Sequence, residues 1–272
     1  MLSIFLVGAG AMGRALAGGW KNKENRADYD VYLIDPHIHS ALDNSTFPPD
    51  RLFTSPEELP NITPDIVVFS VKPQSIKSVI PLYNQFQNSR CSFISIAAGT
   101  SLDTLKGASN SPLQSPSPWV RVMPNLSATV GCGVTGLFTD APLSPNEKEM
   151  IRELFLRVGE AFWVNSEDII DRVTAISGSG PAYFFRFVES LTKAALDLGF
   201  TQDQAELMAR ETFLGAAALL KQGETASTWR QRVTSPDGTT AAAMDAFERG
   251  NVDVLVKHAT QAAYDRAKEL VE

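Results

Sequence analysis

Gly8-Ala9-Gly10-Ala11-Met12-Gly13 is the stretch that decides the fold of the first half of the chain. It follows the apolar run Ser3–Val7, a predicted strand, and it opens a segment with a helical pattern. In such a motif the first glycine permits a tight turn, the second lets a pyrophosphate approach the backbone, and the third allows close helix–strand packing. The phosphates would lie at the helix N-terminus, where unpaired N–H groups favour negative charge. The motif therefore predicts a Rossmann-type dinucleotide site formed by Gly8, Gly10, Ala11, Met12 and Gly13.

A carboxylate at the end of the second predicted strand bears on the choice of cofactor. Asp35 lies about 20 residues beyond the glycine motif, where an acid accepts a hydrogen bond from the ribose of a bound dinucleotide. Because such a carboxylate repels a 2′-phosphate, the sequence favours NADH slightly over NADPH. A basic side chain, Lys21 or Lys23, would oppose that preference by reaching a phosphate. The alternative interpretation of the whole motif is a purely structural turn.

Short apolar runs alternate with helical patterns in the first part of the chain, which is typical of a parallel sheet with crossover helices. Pro81 is expected to break a helix over Gln74–Phe86, and Ser144-Pro145-Asn146-Glu147 predicts a capped helix start. Gly107–Pro118 is predicted to be a surface loop. After Ser3–Val7, the predicted strands are Val31–Ile34, Ile66–Val71, Ser92–Ala97, Val120–Met123, Gly133–Phe138 and Ala161–Val164.

The composition argues against several classes of protein. The chain has 24 basic and 31 acidic residues, a formal charge of −7 and no basic run, so no nucleic-acid partner is expected. The two cysteines and three histidines form no disulfide framework or metal-binding pattern. No apolar stretch approaches the ~20 residues of a membrane helix, and the first residues do not resemble a signal peptide. The sequence therefore predicts a cytoplasmic protein with no membrane partner and no metal.

From about Asp168 onward, helical patterns replace strands. The sequence thus predicts a dinucleotide-binding domain over residues 1–165 and an all-helical domain over residues 166–272. Pro181–Leu198 carries one apolar face and ends at Gly199. Thr201-Gln202-Asp203-Gln204 then begins a helix whose last turns are apolar nearly all round. Because a domain of this size is too small to bury that helix alone, we expect a homodimer in which helices pack across subunits.

Two clusters of small residues precede predicted helices in this half, Ser177-Gly178-Ser179-Gly180-Pro181 and Pro236-Asp237-Gly238-Thr239-Thr240. Each is explained most simply as a tight turn. Two turns that expose helix-start amides would also form a cradle for a small carboxylate. A chain that binds a dinucleotide in its N-terminal half and a small carboxylate in its C-terminal half is most simply a dehydrogenase or a reductase.

Five motifs in this order resemble those of the pyrroline-5-carboxylate reductase family. They are the glycine motif, Val71-Lys72-Pro73-Gln74, Arg121-Val122-Met123-Pro124-Asn125, Ser177-Gly178-Ser179-Gly180-Pro181-Ala182-Tyr183 and Thr234-Ser235-Pro236-Asp237-Gly238-Thr239-Thr240. The resemblance spans nearly the whole chain. It implies a Rossmann-type N-terminal domain, a helical C-terminal dimerisation domain, and in many members a ring of dimers.

The resemblance also implies an activity, the NAD(P)H-dependent reduction of 1-pyrroline-5-carboxylate to proline, and roles for individual residues. Thr240 would bond the imine nitrogen and Asn125 would lie near the junction of the two ligands. No histidine or acid in the motifs stands out as a general acid, so the proton is expected from water or with the substrate. The implied substrate contacts are Val233, Ser235, Gly238, Thr239 and Thr240, and the implied cofactor contacts beyond the glycine motif are Val71, Lys72, Pro73, Ala98 and Gly99.

Three positions depart from the family pattern. Asp237 replaces a glycine beside the proposed carboxylate site, Ala11 replaces a frequent asparagine, and Asp35 replaces a small or basic residue. Asp237 is expected to face solvent and to favour the helix start. The alternatives are a reductase of another cyclic imine or of a 2-oxo acid, and a non-catalytic protein that senses nicotinamide nucleotides.

Overall fold

The computed structural model describes residues 1–21, 29–38, 47–109 and 116–270. The chain divides into two compact units, one formed by Met1–Ser179 with Ala263–Glu272 and one formed by Gly180–Ala262. Each unit is described by itself below. Among the described residues, no helix is both long and apolar enough to cross a bilayer.

The first unit is built on an eight-stranded sheet in the order β3-β2-β1-β4-β5-β6-β7-β8. Every adjacent pair is parallel except β6 with β7, so the last two strands run against the other six. This order confirms the Rossmann-type sheet that the sequence predicts. The strands are β1 Leu2–Val7, β2 Tyr29–Ile34, β3 Leu52–Phe53, β4 Ile66–Phe69, β5 Ser92–Ser95, β6 Trp119–Met123, β7 Gly133–Phe138 and β8 Gly159–Trp163.

Helices and apolar clusters cover both faces of this sheet. Alternate residues of β1 face opposite sides, with Ile4 and Leu6 in one buried cluster and Phe5 and Val7 in the other. Burial on both faces explains why the strands read as continuous apolar runs. Within the described residues, the α-helices of this unit's sheet region are α1 Ala11–Lys21, α2 Pro73–Val79, α3 Leu102–Ser109, α4 Pro145–Leu156 and α5 Glu167–Val173.

Local signals for the connecting segments are largely confirmed. The α-helix ends at Val79, and a 3-10 helix over Ile80–Phe86 carries Pro81, which cannot continue an α-helical hydrogen-bond ladder. Ser144 and Glu147 form the predicted capping box. The predicted loop Gly107–Pro118 begins too early, because α3 extends to Ser109, and residues 110–115 lie outside the described part.

The second unit is entirely helical. Glycine at position 199 has φ +91° and ends α6 as predicted, and Thr201 with Gln204 forms the predicted capping box. The sequence did not predict the short helix α8. The helices are α6 Gly180–Asp197, α7 Gln202–Leu220, α8 Ala226–Arg232, α9 Thr239–Arg249 and α10 Val252–Glu269, the last of which continues into the first unit.

Large apolar side chains of the second unit remain exposed in the single chain. Its buried residues are Gly180, Ala205 and Ala209. The chain therefore does not itself bury the apolar faces that the sequence expects to be covered. The exposed large apolar residues of this unit include Phe184, Phe185, Phe187, Leu207, Leu214, Leu220, Val254, Leu255 and Val256.

The boundary between the two compact units lies between Ser179 and Gly180, later in the chain than the boundary predicted at residue 165. Helix α5 belongs with the sheet, since a Cβ placed at Gly136 of β7 would lie 3.0 Å from Val173 Cγ2 of that helix. Tyr264 at the end of α10 donates to Asp168 of α5 at 2.5 Å, which brings the last turns back to the same unit. Tertiary contacts of this kind leave no local mark in the sequence.

Candidate cofactor and substrate sites

The glycine turn after β1 has the geometry that the motif predicts. Gly8 has φ +101°, and a Cβ there would lie 2.6 Å from the carbonyl oxygen of Ser70. A Cβ at Gly13 would collide with the carbonyl oxygen of Gly8. Nothing lies within 4 Å of the corresponding point at Gly10. The first and third glycines are thus required by the protein itself, whereas the second leaves open space beside the start of α1, which fits a pyrophosphate.

Four strand ends are hydrogen-bonded to one another next to this turn. The N–H of Gly8 donates to Ile34 at 2.8 Å, and the N–H of Ser70 donates to Val7 at 2.7 Å. The N–H of Ile96 donates to Phe69 at 3.1 Å. The carboxyl ends of β2, β1, β4 and β5 therefore form one edge, the edge at which ligands bind in such sheets.

The Asp35 carboxylate holds the glycine turn against the end of β2. One oxygen accepts the N–H of Ala9 at 2.8 Å and the other accepts the N–H of His37 at 2.8 Å. Each carboxylate oxygen keeps a further lone pair for a ribose hydroxyl. Of the two lysines considered against an NADH preference, Lys21 lies 5.1 Å from the ring centroid of Phe47, and Lys23 lies outside the described residues.

The other predicted residues of the glycine turn begin α1. Ala11 is the first residue of the helix, and the side chain of Met12 packs against one of the two apolar clusters. Arg14 on the same helix donates to the carbonyl oxygen of Ala9 at 2.9 Å. Ala11 and Met12 would therefore contribute backbone rather than side-chain contacts to a phosphate.

Val71, Lys72 and Pro73 follow β4 directly. Val71 is half-buried, and its Cγ1 lies 3.1 Å from the point where a Cβ of Gly8 would stand. Lys72 precedes α2 with its side chain exposed, and Pro73 is the first residue of that helix. These residues lie beside the glycine turn, as the sequence predicts for cofactor contacts.

Ala98 and Gly99 follow β5 and line a cavity of about 370 Å³ together with Pro73. Gly99 is buried, has φ +65°, and a Cβ there would lie 2.6 Å from Cβ of Leu270. The sequence explained small residues here by the approach of a nicotinamide. The structure adds another reason for Gly99, because Leu270 occupies the space next to it.

Asn125 follows β6 with 7% of its surface exposed. Its side-chain amide donates to the carbonyl oxygen of Ser177 at 2.9 Å, and its oxygen accepts the N–H of Val134 at 3.0 Å. The residue therefore links β6, β7 and the segment after α5. Each polar atom keeps capacity for one more hydrogen bond.

The predicted tight turn at Ser177-Gly178-Ser179-Gly180-Pro181 is wrong. Residues Thr174–Gly178 form a π-helix that continues α5, and the N–H of Ser179 donates to Thr174 at 2.8 Å. A Cβ at Gly178 would lie 2.7 Å from Cε of Met123, so Gly178 packs against the end of that side chain. The expectation of two similar turns that expose helix-start amides thus holds for one motif only.

The second motif is a β-turn that leads into α9. The N–H of Gly238 donates to the carbonyl oxygen of Ser235 at 3.1 Å, with Pro236 and Asp237 between them. Asp237 is exposed and has φ +57°, the left-handed conformation that the third position of a type II turn requires. A Cβ at Gly238 would collide with Oγ of Ser235, so a side chain at this position would displace the Ser235 hydroxyl.

The N-terminus of α9 has no side-chain cap. Gly238 is the N-cap residue and offers no side chain, so the first N–H groups of the helix, including those of Thr239 and Thr240, have no partner within the helix. Thr240 is half-buried, and Val233 before the turn is 60% exposed. Backbone donors, a hydroxyl and an apolar side chain thus lie within one short segment.

The structure groups the predicted residues by unit. Every predicted cofactor residue lies in the first unit, at or beside the carboxyl edge of the sheet. Val233, Ser235, Gly238, Thr239 and Thr240 lie in the second unit, whereas Asn125 lies in the first. Among the described residues, no group of three or more histidine, cysteine, aspartate or glutamate side chains is placed to hold a metal ion.

Sequence reasoning missed two residues beside the predicted cofactor contacts. Glu167 accepts the N–H of Leu102, the first residue of α3, at 2.8 Å. Leu270 covers Gly99. Both come from parts of the chain far from the strands, and no local pattern could have indicated them.

Comparison with known proteins identifies the family of the chain. Residues 167–270 match the family model described as pyrroline-5-carboxylate reductase dimerisation, and residues 3–99 match that described as NADP oxidoreductase, coenzyme F420-dependent. The pyrroline-5-carboxylate reductase of Pseudomonas aeruginosa is 36% identical over 99% of this chain and 97% of that protein. The one from Mycobacterium tuberculosis is 33% identical over 99% of this chain and 97% of that protein.

Solved structures give the same result. The structure of a pyrroline-5-carboxylate reductase from Coxiella burnetii superimposes with a TM-score of 0.86 at 33% identity, covering 99% of this chain and 98% of that one. A pyrroline carboxylate reductase from Plasmodium falciparum with NADP bound superimposes with a TM-score of 0.80 at 27% identity, covering 100% and 98%. On this evidence of sequence and structure, the chain belongs to the pyrroline-5-carboxylate reductase family.

Proposed function

We propose that this protein reduces 1-pyrroline-5-carboxylate to L-proline with a hydride from NAD(P)H, the last step of proline biosynthesis. The observation that carries the proposal is the uncapped N-terminus of α9 directly after the turn Ser235–Gly238, in a chain of this family. The open space beside Gly10 supports the dinucleotide half of the proposal.

The substrate carboxylate is held by the first N–H groups of α9. Thr239 and Thr240 supply backbone donors and Ser235 supplies a hydroxyl, while the positive end of the helix dipole favours the anion. Gly238 keeps this approach clear, because it has no side chain. Val233 packs against the apolar ring of the substrate.

The reacting C=N bond gains a hydride at carbon and a proton at nitrogen. When bound, the reduced nicotinamide supplies the hydride. The Thr240 hydroxyl bonds the ring nitrogen and orients the imine, and the proton comes from water or with the substrate, because a threonine hydroxyl is a poor acid. The main contribution of the chain is orientation, with the carboxylate fixed at one end of the ring. Asn125, whose polar atoms each keep capacity for one more hydrogen bond, is a further proposed ligand contact.

The cofactor is held at the carboxyl edge of the first sheet. Gly8, Gly10, Ala11, Met12 and Gly13 take the pyrophosphate, and Asp35 takes the ribose. A carboxylate already fixed by two backbone N–H groups has little freedom to turn away from a 2′-phosphate. We therefore propose that NADH is preferred over NADPH.

The nicotinamide half of the cofactor lies at the ends of β4 and β5. Val71, Lys72 and Pro73 border it on one side, and Ala98 and Gly99 on the other. Support comes from the cavity that Pro73, Ala98 and Gly99 share.

The protein forms a homodimer through its helical unit. The exposed phenylalanine, leucine and valine side chains of α6, α7 and α10 would be costly in water, and a second copy would cover them. Light scattering coupled to size exclusion tests this proposal, and a mass of several dimers would indicate a ring. A monomer would contradict it. The cytoplasmic location stays a prediction from the sequence.

The test is pyrroline-5-carboxylate-dependent oxidation of NADH and of NADPH, measured in parallel for the wild type, Thr240→Ala and Thr260→Ala. Thr260 is a matched control, because it lies on α10 and its hydroxyl donates to the backbone at Val256. We expect kcat/KM to fall about 10-fold or more in Thr240→Ala and to stay unchanged in the control.

Two outcomes would contradict the proposal. Cofactor binding without turnover would support the nucleotide-sensing alternative. Activity on another cyclic imine or a 2-oxo acid, with none on pyrroline-5-carboxylate, would support a related reductase. Faster turnover with NADPH would contradict only the proposed role of Asp35.

A further inference from the structure

The loop Ala97–Ser101 connects β5 to α3 and carries Ala98 and Gly99, two proposed contacts of the nicotinamide half of the cofactor. Its far end enters the first turn of α3, where backbone N–H groups have no partner within the helix. Ser101 satisfies one of them, because its hydroxyl accepts the N–H of Thr104 at 3.2 Å. The N–H of Leu102 needs an acceptor from elsewhere.

Glu167 of α5 supplies that acceptor. Its Oε1 accepts the N–H of Leu102 at 2.8 Å and also the Nη1 of Arg121 at 3.0 Å. The helix start that ends the loop is therefore fixed by a side chain from a segment 65 residues later in the sequence.

The buried side chain of Arg121 holds Glu167 in position for this contact. The Arg121 side chain is 2% exposed in the middle of the sheet and also pairs with Asp171, which is 7% exposed. Asp171 lies one helical turn after Glu167 on the same face of α5, so the guanidinium of Arg121 forms ion pairs with both carboxylates. Because Asp171 alone can balance the buried charge of Arg121, the second carboxylate is available to hold α3.

Leu270 contacts the same loop at its middle residue, Gly99. It lies over Gly99 so closely that any side chain at that position would overlap it. Helix α10, which ends one residue before Leu270, is tied to α5 by Tyr264 and Lys268, which both donate to Asp168. One contact with the loop therefore comes from α5, and the other comes from Leu270, the residue that directly follows α10.

We propose that Glu167 and Leu270 are positioning residues that fix the loop Ala97–Ser101 against the nicotinamide half of the bound cofactor. The inference rests on the proposed cofactor site. Neither residue touches the reacting atoms, and both act through the backbone of Ala98 and Gly99. Loss of either contact should weaken binding of the nicotinamide half and leave the adenosine half unaffected.

The experiment compares two ligands on the same protein. Dissociation constants for NADH and for ADP-ribose, which lacks the nicotinamide ring, are measured by calorimetry for the wild type, Glu167→Ala, Glu167→Gln and Leu270→Gly, which removes the Cβ that lies against Gly99. Glu153→Ala is the matched control, since Glu153 is an exposed glutamate on α4. Steady-state kinetics provide KM for both substrates and kcat.

We expect Glu167→Ala and Leu270→Gly to weaken NADH binding about 5-fold and to change ADP-ribose binding less than about 2-fold. Glu167→Gln should behave as the wild type, because its amide oxygen still accepts the Leu102 N–H. The KM for pyrroline-5-carboxylate should not change.

Equal weakening of both ligands would overturn the inference, because it would indicate a general loss of structure. Unchanged NADH binding in both Glu167→Ala and Leu270→Gly would overturn it as well. Leu270 is 49% exposed and outside the ion cluster, so its variant remains informative if Glu167→Ala does not fold. A wild type that binds neither ligand would refute the proposed cofactor site instead.

Discussion

Replacing Asp237 by glycine and, separately, by asparagine distinguishes two effects of this residue on the proposed substrate turn. Asp237 has φ +57° and directly precedes the N-cap residue of α9. The left-handed conformation costs a residue with a side chain up to about 1 kcal/mol, less for aspartate and asparagine than for other residues, and glycine avoids this cost. Both substitutions remove the negative charge, but only glycine also removes the backbone strain.

The charge effect follows from Coulomb's law. If the bound carboxylate lies about 7 Å from the Asp237 carboxylate at an effective dielectric constant of about 60, the repulsion is about 0.8 kcal/mol, or roughly 4-fold in affinity. We expect both variants to lower KM for pyrroline-5-carboxylate and the inhibition constant of proline by about this factor at low salt. The gain should shrink in about 1 M KCl, where charges are screened over about 3 Å.

The strain effect appears in thermal stability. Both variants lose the favourable interaction of the Asp237 charge with the helix dipole, about 0.5 kcal/mol, so their difference isolates the backbone term. The glycine variant should melt about 2 °C above the asparagine variant, as expected for up to about 1 kcal/mol in a chain of this length.

Unchanged KM in both Asp237 variants, measured at low salt, would refute the placement of the substrate carboxylate at this turn. A glycine variant that melts no higher than the asparagine variant would refute the strain argument.

Three further predictions follow from the first unit. Gly8→Ala should cost about 3 kcal/mol and remove measurable NADH binding, because a side chain would collide with the backbone that follows β4; calorimetry with unaffected binding would contradict this. The hydrogen bond from Tyr264 holds the pKa of Asp168 below its usual 3.8. This hydrogen bond therefore stabilises the folded protein at neutral pH, and the stabilisation is lost as the pH falls through the folded-state pKa of Asp168. Tyr264→Phe should lower Tm at about pH 7, by an amount that shrinks towards about pH 3. Burial raises the pKa of Cys91 to about 12, so a maleimide at neutral pH should label Cys132 alone. Both thiols should react after unfolding. Two labelled thiols in the native protein, detected by mass spectrometry, would count against the burial of Cys91.

Features encoded by a few adjacent residues could be predicted from the sequence. The glycine turn, the capping boxes at Ser144 and Thr201 and the helix end at Gly199 depend on local backbone chemistry, and the structure has all four. The strands were found from apolar runs, although β3 was missed because it has only two residues.

Features set by distant contacts could not be predicted. The composition of Ser177-Gly178-Ser179-Gly180 indicates a turn, yet the segment is helical up to Gly178. The hydroxyl of Ser177 donates to Val173 one turn earlier, and its carbonyl oxygen is held by Asn125, 52 residues away. Glu167 was not recognised as a partner of α3 for the same reason, since its role depends on a residue from another element.

The return of Ala263–Glu272 to the sheet unit has a consequence for how the chain is made. During synthesis from the N-terminus, the loop that carries Gly99 is finished long before Leu270 leaves the ribosome. Contacts between such distant segments form late in folding, because the chain loses the conformational entropy of closing a large loop before the new contacts stabilise it. A nascent chain released early would thus contain all eight described strands and still lack Leu270, which covers Gly99.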